Sequence, residues 1–284
     1  MLLIYGQTQK FSFYRYALSD ETLLILSMNE LTAIIVPCYN EAIRFESKYF
    51  ENLAQIDRTH WYFVNDGSTD STGTILNEFC SSIVNATCIN VQVNRGKSHA
   101  LSFGFKYVLD NFNSFSWIGI LDSDGAFSEV DVSRIIHLAR SKNLNEIDAV
   151  YGARVKLAGR EIYRNRTRHY LSRAIITFFG LLWKDIPYDT QTGLKIYSTK
   201  ILPKSIFAEP FKTKWFFDIE IHQRINDYLK YRFKVWEEPV NAWKDVSGSK
   251  ITPLELPILM KELTKITMLL LKSHMNWKYK VPKN

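Results

Sequence analysis

The sequence predicts an α/β fold: a doubly wound, mostly parallel sheet with a C-terminal helical elaboration. Short apolar or β-branched runs alternate with helical stretches between residues 31 and 152. Those runs are apolar almost throughout instead of alternating with polar residues, as strands buried on both faces are. Three of them end in polar clusters, and in such sheets the ligand edge lies beyond the carboxyl ends of the strands.

Residues 32–36 (Thr-Ala-Ile-Ile-Val) form the first run, stopped by Pro37, and residues 41–56 have helical spacing. Residues 61–64 (Trp-Tyr-Phe-Val) form the second run and end at the turn Asn65-Asp66-Gly67. Residues 68–79 read as a helix opened by Ser and Thr. A third strand is expected over 87–93, a third helix over 97–109 and a fourth strand over 117–121, ending at Asp122. Residues 128–139 read as a fourth helix, with Asp131 near its start and Arg140 near its end, as the helix dipole favours. Residues 149–152 form the fifth strand. This βαβαβαβαβ order gives the parallel sheet. The alternation then breaks, with a helix-like segment at 160–183, a strand near 193–198, a helix near 216–230 and a strand near 232–238. No internal repeat is visible. Residues 1–30 carry no legible motif and read as an N-terminal extension, residues 31–250 as the catalytic domain and residues 251–284 as a C-terminal amphipathic segment.

The composition suits a packed core, with 46% hydrophobic and 23% charged residues among 284. A net charge of +7 favours an anionic partner, whether nucleotide phosphate, lipid headgroup or nucleic acid. Cys38, Cys80 and Cys88 are odd in number and irregular in spacing, so reduced thiols are expected, with no disulfide framework or zinc site. The sequons at Asn85 and Asn165 are then chance matches. The longest apolar runs fall far short of the roughly 20 residues a spanning helix needs. No signal-peptide pattern opens the chain.

Asp122-Ser-Asp124 is the sharpest chemical signal. Two carboxylates on alternate residues past a buried strand can hold a hard divalent cation, Mg²⁺ or Mn²⁺, beside a diphosphate, although an acidic turn has the same letters. Asp66-Gly67-Ser68 places a carboxylate where it could accept from a base edge, or simply cap a helix. Asn94-Arg95-Gly96-Lys97 sets two cations about a glycine at a helix start, suited to phosphate or to solvent.

In this order, Ile35-Val-Pro-Cys-Tyr-Asn-Glu41, Val64-Asn-Asp-Gly-Ser-Thr-Asp70, Asn94-Arg-Gly-Lys97 and Asp122-Ser-Asp124 resemble the family 2 glycosyltransferases over residues 32–155. Further on, Asp189-Thr-Gln-Thr-Gly193, Leu194-Lys-Ile-Tyr197, Phe217-Asp-Ile-Glu220 and Gly248-Ser-Lys250 resemble the dolichyl-phosphate glucosyltransferase and dolichol-phosphate mannose synthase branch. Ala126 stands where the mannosyl members carry a metal-binding glutamine, which makes the chain more similar to the glucosyl members and leaves that ligand to be supplied otherwise. The resemblance implies a type A glycosyltransferase fold. It implies that Pro37, Tyr39, Glu41, Asp66, Lys97 and Asp122 bind the nucleotide sugar, UDP-glucose being favoured, and that Asp122 and Asp124 hold the metal. It further implies that Arg168, Ser172 and Lys250 grip an acceptor phosphate, and that Asp124, Arg154 and Asp189 act in catalysis.

Residues 154–173 hold Arg154, Lys156, Arg160, Arg164, Arg166, Arg168 and Arg173 against one acid, Glu161. That run is either a solvated face or a phosphate clamp, for which arginine's planar fork is suited. A phosphate monoester has a second pKa of about 6, so it attacks without a strong base. A hydroxyl acceptor would need a base, for which Asp189 is available, unless it orients arginines instead. The expected activity is inverting transfer of a sugar, glucose favoured, to a polyprenyl (dolichyl or undecaprenyl) phosphate. The alternative is a family 2 enzyme acting on a glycan hydroxyl in cell-surface polysaccharide synthesis. No nucleic-acid-binding motif is recognisable, so nucleic acid is not an expected partner. Residues 253–280 mix apolar residues with Lys261, Lys265, Lys272, Lys278 and Lys280, fitting an interfacial helix or a core-facing one. The expected location is cytoplasmic, peripheral at the cytosolic membrane face.

Overall fold

The computed structural model describes residues 30–141, 147–163, 176–180, 186–214, 216–244 and 256–278. Its elements in chain order are β1 (Leu31–Cys38), α1 (Ser47–Ala54), β2 (Thr59–Asp66), α2 (Thr72–Ser82), β3 (Ala86–Val91), α3 (Lys97–Asn111), β4 (Phe115–Leu121), α4 (Glu129–Arg140), β5 (Ala149–Ala153), β6 (Glu161–Tyr163), β7 (Leu194–Ser198), α5 (Phe217–Leu229), β8 (Val235–Pro239), β9 (Ala242–Lys244) and α6 (Leu256–Lys278).

Seven strands form one sheet in the order β3-β2-β1-β4-β7-β5-β8. All neighbours are parallel except β7, which runs antiparallel between β4 and β5. Side chains alternate across the sheet. Ile34, Val36, Trp61 and Phe63 face one side with Phe50 and Leu53 of α1, Leu76 of α2 and Val132 and Ile135 of α4. Ala33, Ile35, Tyr62 and Val64 face the other, with Leu101 and Phe105 of α3 and Ile221 and Ile225 of α5. Both faces are covered, which is why the strands read as unbroken apolar runs. The chain winds outward from β1 to β3, then returns through α3 to β4 on β1's other side. The crevice between the carboxyl ends of β1 and β4 is therefore the topological switch point.

Several sequence expectations are corrected. The helix expected over 41–56 is confined to Ser47–Ala54, because the amides of Arg44 and Phe45 both turn back to the Glu41 carbonyl. The helix expected from residue 68 begins at Thr72, where the Asp70 carboxylate accepts from the Thr72 amide at 3.0 Å. Within the stretch read as helix-like at 160–183, Glu161–Tyr163 is a strand, paired in parallel with β9. Residues 176–180 are helical, and 164–175 and 181–185 lie outside the described residues, as does residue 1–29 of the expected extension. Arg140 stands in the last turn of α4, as expected. It is buried and donates to Thr32, Thr59 and the carbonyls of Asp57 and Arg58, pinning α4 to the sheet's opposite edge.

Asp131 ties α4 to the β8–β9 turn. Its fully buried carboxylate accepts from Ser128 Oγ and from the Asn241 amide at 2.9 Å, Asn241 Nδ2 at 2.9 Å, the Ala242 amide at 3.1 Å and Arg134 at 2.8 Å. Burial raises its pKa, but the bonds from Arg134 and the two backbone amides outweigh this and hold it below the ordinary carboxylate range. A depressed pKa means stability present above the unfolded value and lost as pH falls through the folded one. Asp131→Asn turns an –NH₂ toward these donors, so chemical denaturation at pH 7 is expected to show a loss of about 3 kcal/mol. The gap between wild type and variant should narrow below about pH 4, where protonation removes the same bonds from the wild type.

Candidate functional site

The strand ends at the switch point are fastened to one another before any ligand is considered. After β1, Asn40 has a left-handed φ of 52° and accepts from the Thr69 amide at 2.9 Å. Its own amide donates to Ser68 Oγ at 3.0 Å, and the Glu41 amide donates to Thr72 Oγ1 at 2.8 Å. The loops following β1 and β2 are therefore tied to each other. Glu41, 8% exposed, also pairs with Arg44 at 2.8 Å. Pro37 and Tyr39 are half-buried at the same edge.

Asp66, buried at the end of β2, accepts from the backbone amides of Gly96 at 2.8 Å and Arg95 at 3.3 Å, with the His99 ring 3.7 Å away. In this state its carboxylate shapes the 94–97 loop. Gly67 has φ +63°, and a Cβ there would lie 2.5 Å from the Asn94 amide nitrogen. Only glycine lets the two loops approach this closely.

Beyond β4, Asp122 accepts from Lys97 Nζ at 2.5 Å. This lysine stands at the first turn of α3, 25 residues earlier in the chain, and the contact joins the basic and acidic motifs. Gly193 approaches Asp122 from β7. The Asp122 amide donates to its carbonyl at 3.0 Å, and a Cβ at Gly193 would collide with the Asp122 carboxylate. Asp124 accepts from the Ala126 amide at 3.1 Å. Burial raises its pKa, and the negative charge of Asp122 raises it further. Two carboxylates held this way are poised for a cation. Their hard oxygen donors suit Mg²⁺ or Mn²⁺. Among the described residues no cluster of three His, Cys, Asp or Glu ligands forms, and this pair is the acidic arrangement at the end of β4 that a cation could use.

Arg154 follows β5 and is gripped by Asp189. Its Nε and Nη2 donate to the two carboxylate oxygens at 2.8 and 2.7 Å, and its backbone amide adds a bond of 2.8 Å. The guanidinium lies 5.0 Å from the centre of the Trp243 ring on β9. Asp189 is held in turn by Glu237 of β8, whose two oxygens accept from the Tyr188 and Asp189 amides at 2.7 Å each. The carboxylate suggested as a base for a hydroxyl acceptor is thus engaged in orienting an arginine.

The sequence reading missed Glu237 and Trp243, and quoted Lys195 and Asp218 only as motif letters. Lys195 lies 1% exposed within β7 and donates to Asp218 on the first turn of α5. A lysine inside an apolar strand was the available signal. Arg168, Ser172 and Lys250 lie outside the described residues, as do Arg164, Arg166 and Arg173.

A sheet wound this way, with acidic strand ends at its switch-point crevice, has the form of the type A glycosyltransferase fold. The sequence profile described as Glycosyl transferase family 2 matches residues 33–203, and the chain belongs to that family. A dolichyl-phosphate beta-glucosyltransferase of Dictyostelium discoideum is 28% identical over 259 residues, covering 84% of this chain and 74% of that protein. One from Trichomonas vaginalis is 27% identical, covering 83% and 72%. Among solved structures, glucosyl-3-phosphoglycerate synthase from Mycobacterium tuberculosis, in complex with Mn²⁺, UDP-glucose and phosphoglyceric acid, superposes with a TM-score of 0.58 at 17% identity, covering 92% of this chain and 86% of that one. A mannosyltransferase from Pyrobaculum calidifontis, in complex with GDP-mannose and Mn²⁺, gives a TM-score of 0.58 at 15% identity. This chain is covered over 85% and spans 64% of that mannosyltransferase's length.

Proposed function

We propose that the protein transfers glucose from UDP-glucose, with inversion, onto a polyprenyl phosphate. The names of the similar dolichyl-phosphate glucosyltransferases support this, and one observation of the site carries it. Each carboxylate described at the sheet edge already has a partner: Glu41 has Arg44, Asp66 has two amides, Asp122 has Lys97, Asp189 has Arg154 and Asp218 has Lys195. Asp124 stands beside Asp122 as a cation ligand. Among the described residues such an edge offers no unpaired carboxylate as general base and favours a nucleophile that arrives ionised, which a phosphate monoester does.

In this reading Pro37, Tyr39, Glu41 and Asp66 bound the nucleotide pocket. Asp122 and Asp124 would hold Mg²⁺ or Mn²⁺, which supplies Lewis-acid stabilisation of charge on the donor diphosphate. Lys97 adds a second positive charge on the same side. Arg154, fixed by Asp189 and Trp243, faces the attacking phosphate, with Arg168, Ser172 and Lys250 assigned to the same anion. The acceptor oxygen bonds to the anomeric carbon as the bond to the diphosphate breaks, so one displacement inverts an α-linked donor to a β-linked product. Alignment and charge supply the rate.

Residues 31–250 form the catalytic unit in this proposal and residues 251–284 its contact with the cytosolic face of a bilayer. Helix α6 supports that division. Ile266 and Leu270 pack against α5, while Met260, Met268 and Leu271 are about half exposed beside Lys261, Lys265 and Lys272 on the outer face. No described helix is long and apolar enough to cross a membrane.

The test offers UDP-glucose, GDP-mannose and other donors with Mg²⁺ or Mn²⁺ to a short polyprenyl phosphate and to the matching polyprenol, with glycolipid read by mass. Glucosyl transfer confined to the phosphate is the expected result. Equal transfer to the alcohol would favour the glycan-hydroxyl alternative.

A further inference from the structure

Lys195 is used by none of the steps above, yet it is charged and 1% exposed in the middle of a sheet. It faces the α5 side, where its ammonium donates to the Thr192 carbonyl at 2.8 Å and to the Asp218 carboxylate, 5.5 Å from the centre of the Tyr151 ring. The pair is lopsided. The ammonium is enclosed, while the Asp218 side chain is 22% exposed. Asp218 also interacts electrostatically with Lys97 on the donor side and with Arg154 on the acceptor side. A carboxylate that is partly open and within electrostatic reach of both sides could take a proton from an incoming hydroxyl if no counter-ion held it. An apolar side chain at 195 would fill the same space without a buried charge, so the lysine's presence calls for a functional reason.

We propose that Lys195 determines acceptor specificity: by holding Asp218 as its counter-ion, it keeps that carboxylate from proton abstraction and restricts transfer to acceptors that are already anionic. The inference rests on the phosphate-acceptor reading given above. With an alcohol, the new oxygen–carbon bond forms, the bond from the anomeric carbon to the diphosphate breaks, and the hydroxyl proton must pass to a base. If Asp218 accepted that proton, the buried Lys195 ammonium would keep a carbonyl but lose its counter-charge. With a phosphate dianion no proton moves, and the pair stays intact.

The experiment measures the ratio of glucosyl transfer to polyprenol over transfer to polyprenyl phosphate of equal chain length, with release of free glucose as a third product. Lys195→Met keeps the length of the side chain and removes its charge. The ratio, and the hydrolysis of donor by water, should rise at least about 10-fold, the low end of what a general base supplies. Adding Asp218→Asn should return both to the wild-type level. Lys195→Arg, which keeps the charge, should not raise the ratio. Thermal melts identify folded variants, and Lys195→Gln replaces Lys195→Met if the latter does not fold. An unchanged ratio in a folded, charge-removed variant would overturn the role of Lys195, as would a gain that survives Asp218→Asn. Wild-type transfer to polyprenol as fast as to the phosphate would instead overturn the acceptor assignment itself, so the two failures are distinguishable.

Discussion

Asp124→Ala is expected to lower glucosyl transfer by about 10³-fold or more while leaving the protein folded. The size of the effect comes from what the side chain opposes. Asp122 and Asp124 form a like-charged pair at the end of β4, and burial together with the Asp122 charge raises the Asp124 pKa. The fold supplies Asp124 with a single backbone partner, the Ala126 amide. In the proposed function a carboxylate kept under those conditions serves something that arrives with positive charge. Removing it leaves Asp122 with Lys97, a monovalent contact that cannot replace a divalent ion against a diphosphate. Stability should change by less than about 1 kcal/mol, because one part-buried hydrogen bond is lost and a repulsion is relieved. Initial rates across a Mn²⁺ titration, beside thermal melts, check both halves. Calorimetric titration of Mn²⁺ into the protein with UDP present should show weakened binding in the variant. Full activity would remove Asp124 from the site.

Much of this edge was legible because its residues answer to local rules. Residues 32–36 and 61–64 read as strands because both faces of the sheet are covered, which erases alternation. Asp66 and Asp122 stood out because each lies just past a buried strand within a motif that resembles the family's, although the letters alone also fit a cap or a turn. The failures share a cause as well. Glu161–Tyr163 sits in a basic run with helical spacing, and its strand character comes from pairing with Ala242–Lys244, about 80 residues on. No local pattern carries that information. The reversed direction of β7 is likewise invisible in Leu194-Lys-Ile-Tyr197. The partners that give site residues their roles are distant too: Lys97 lies 25 residues from Asp122, Arg154 35 from Asp189, and Glu237 48 from Asp189. Sequence showed which groups were present at the edge. Only the folded chain shows that so many of its described carboxylates are already spoken for, and in the proposed function this shifts the choice further from a hydroxyl acceptor toward the phosphate that the resemblance already favoured.

That shift is tested most sharply at Asp189. Asp189→Asn is expected to lower transfer about 10²-fold, chiefly through a raised KM for the acceptor, with the KM for UDP-glucose little changed. The asparagine keeps one acceptor oxygen but turns an –NH₂ toward donors, so Arg154 loses its two-point grip and its guanidinium is held less firmly, by the Gln191 carbonyl at 2.9 Å and by Trp243. Stability should fall as well, by about 3 kcal/mol, because Arg154 and Asp189 are only 12% and 7% exposed and one partner is left in place. A loss of both kinds leaves open whether the pair matters for folding alone. The double variant Arg154→Met, Asp189→Leu separates the two, since replacing both members of a buried pair with apolar residues removes the stranded charge and recovers much of the stability. If Arg154 serves the acceptor phosphate, the double variant melts nearer to wild type than Asp189→Asn does and still transfers no better. A double variant that regained transfer together with stability would show that the clamp holds only the fold, and the acceptor anion would then have to be met by other cations.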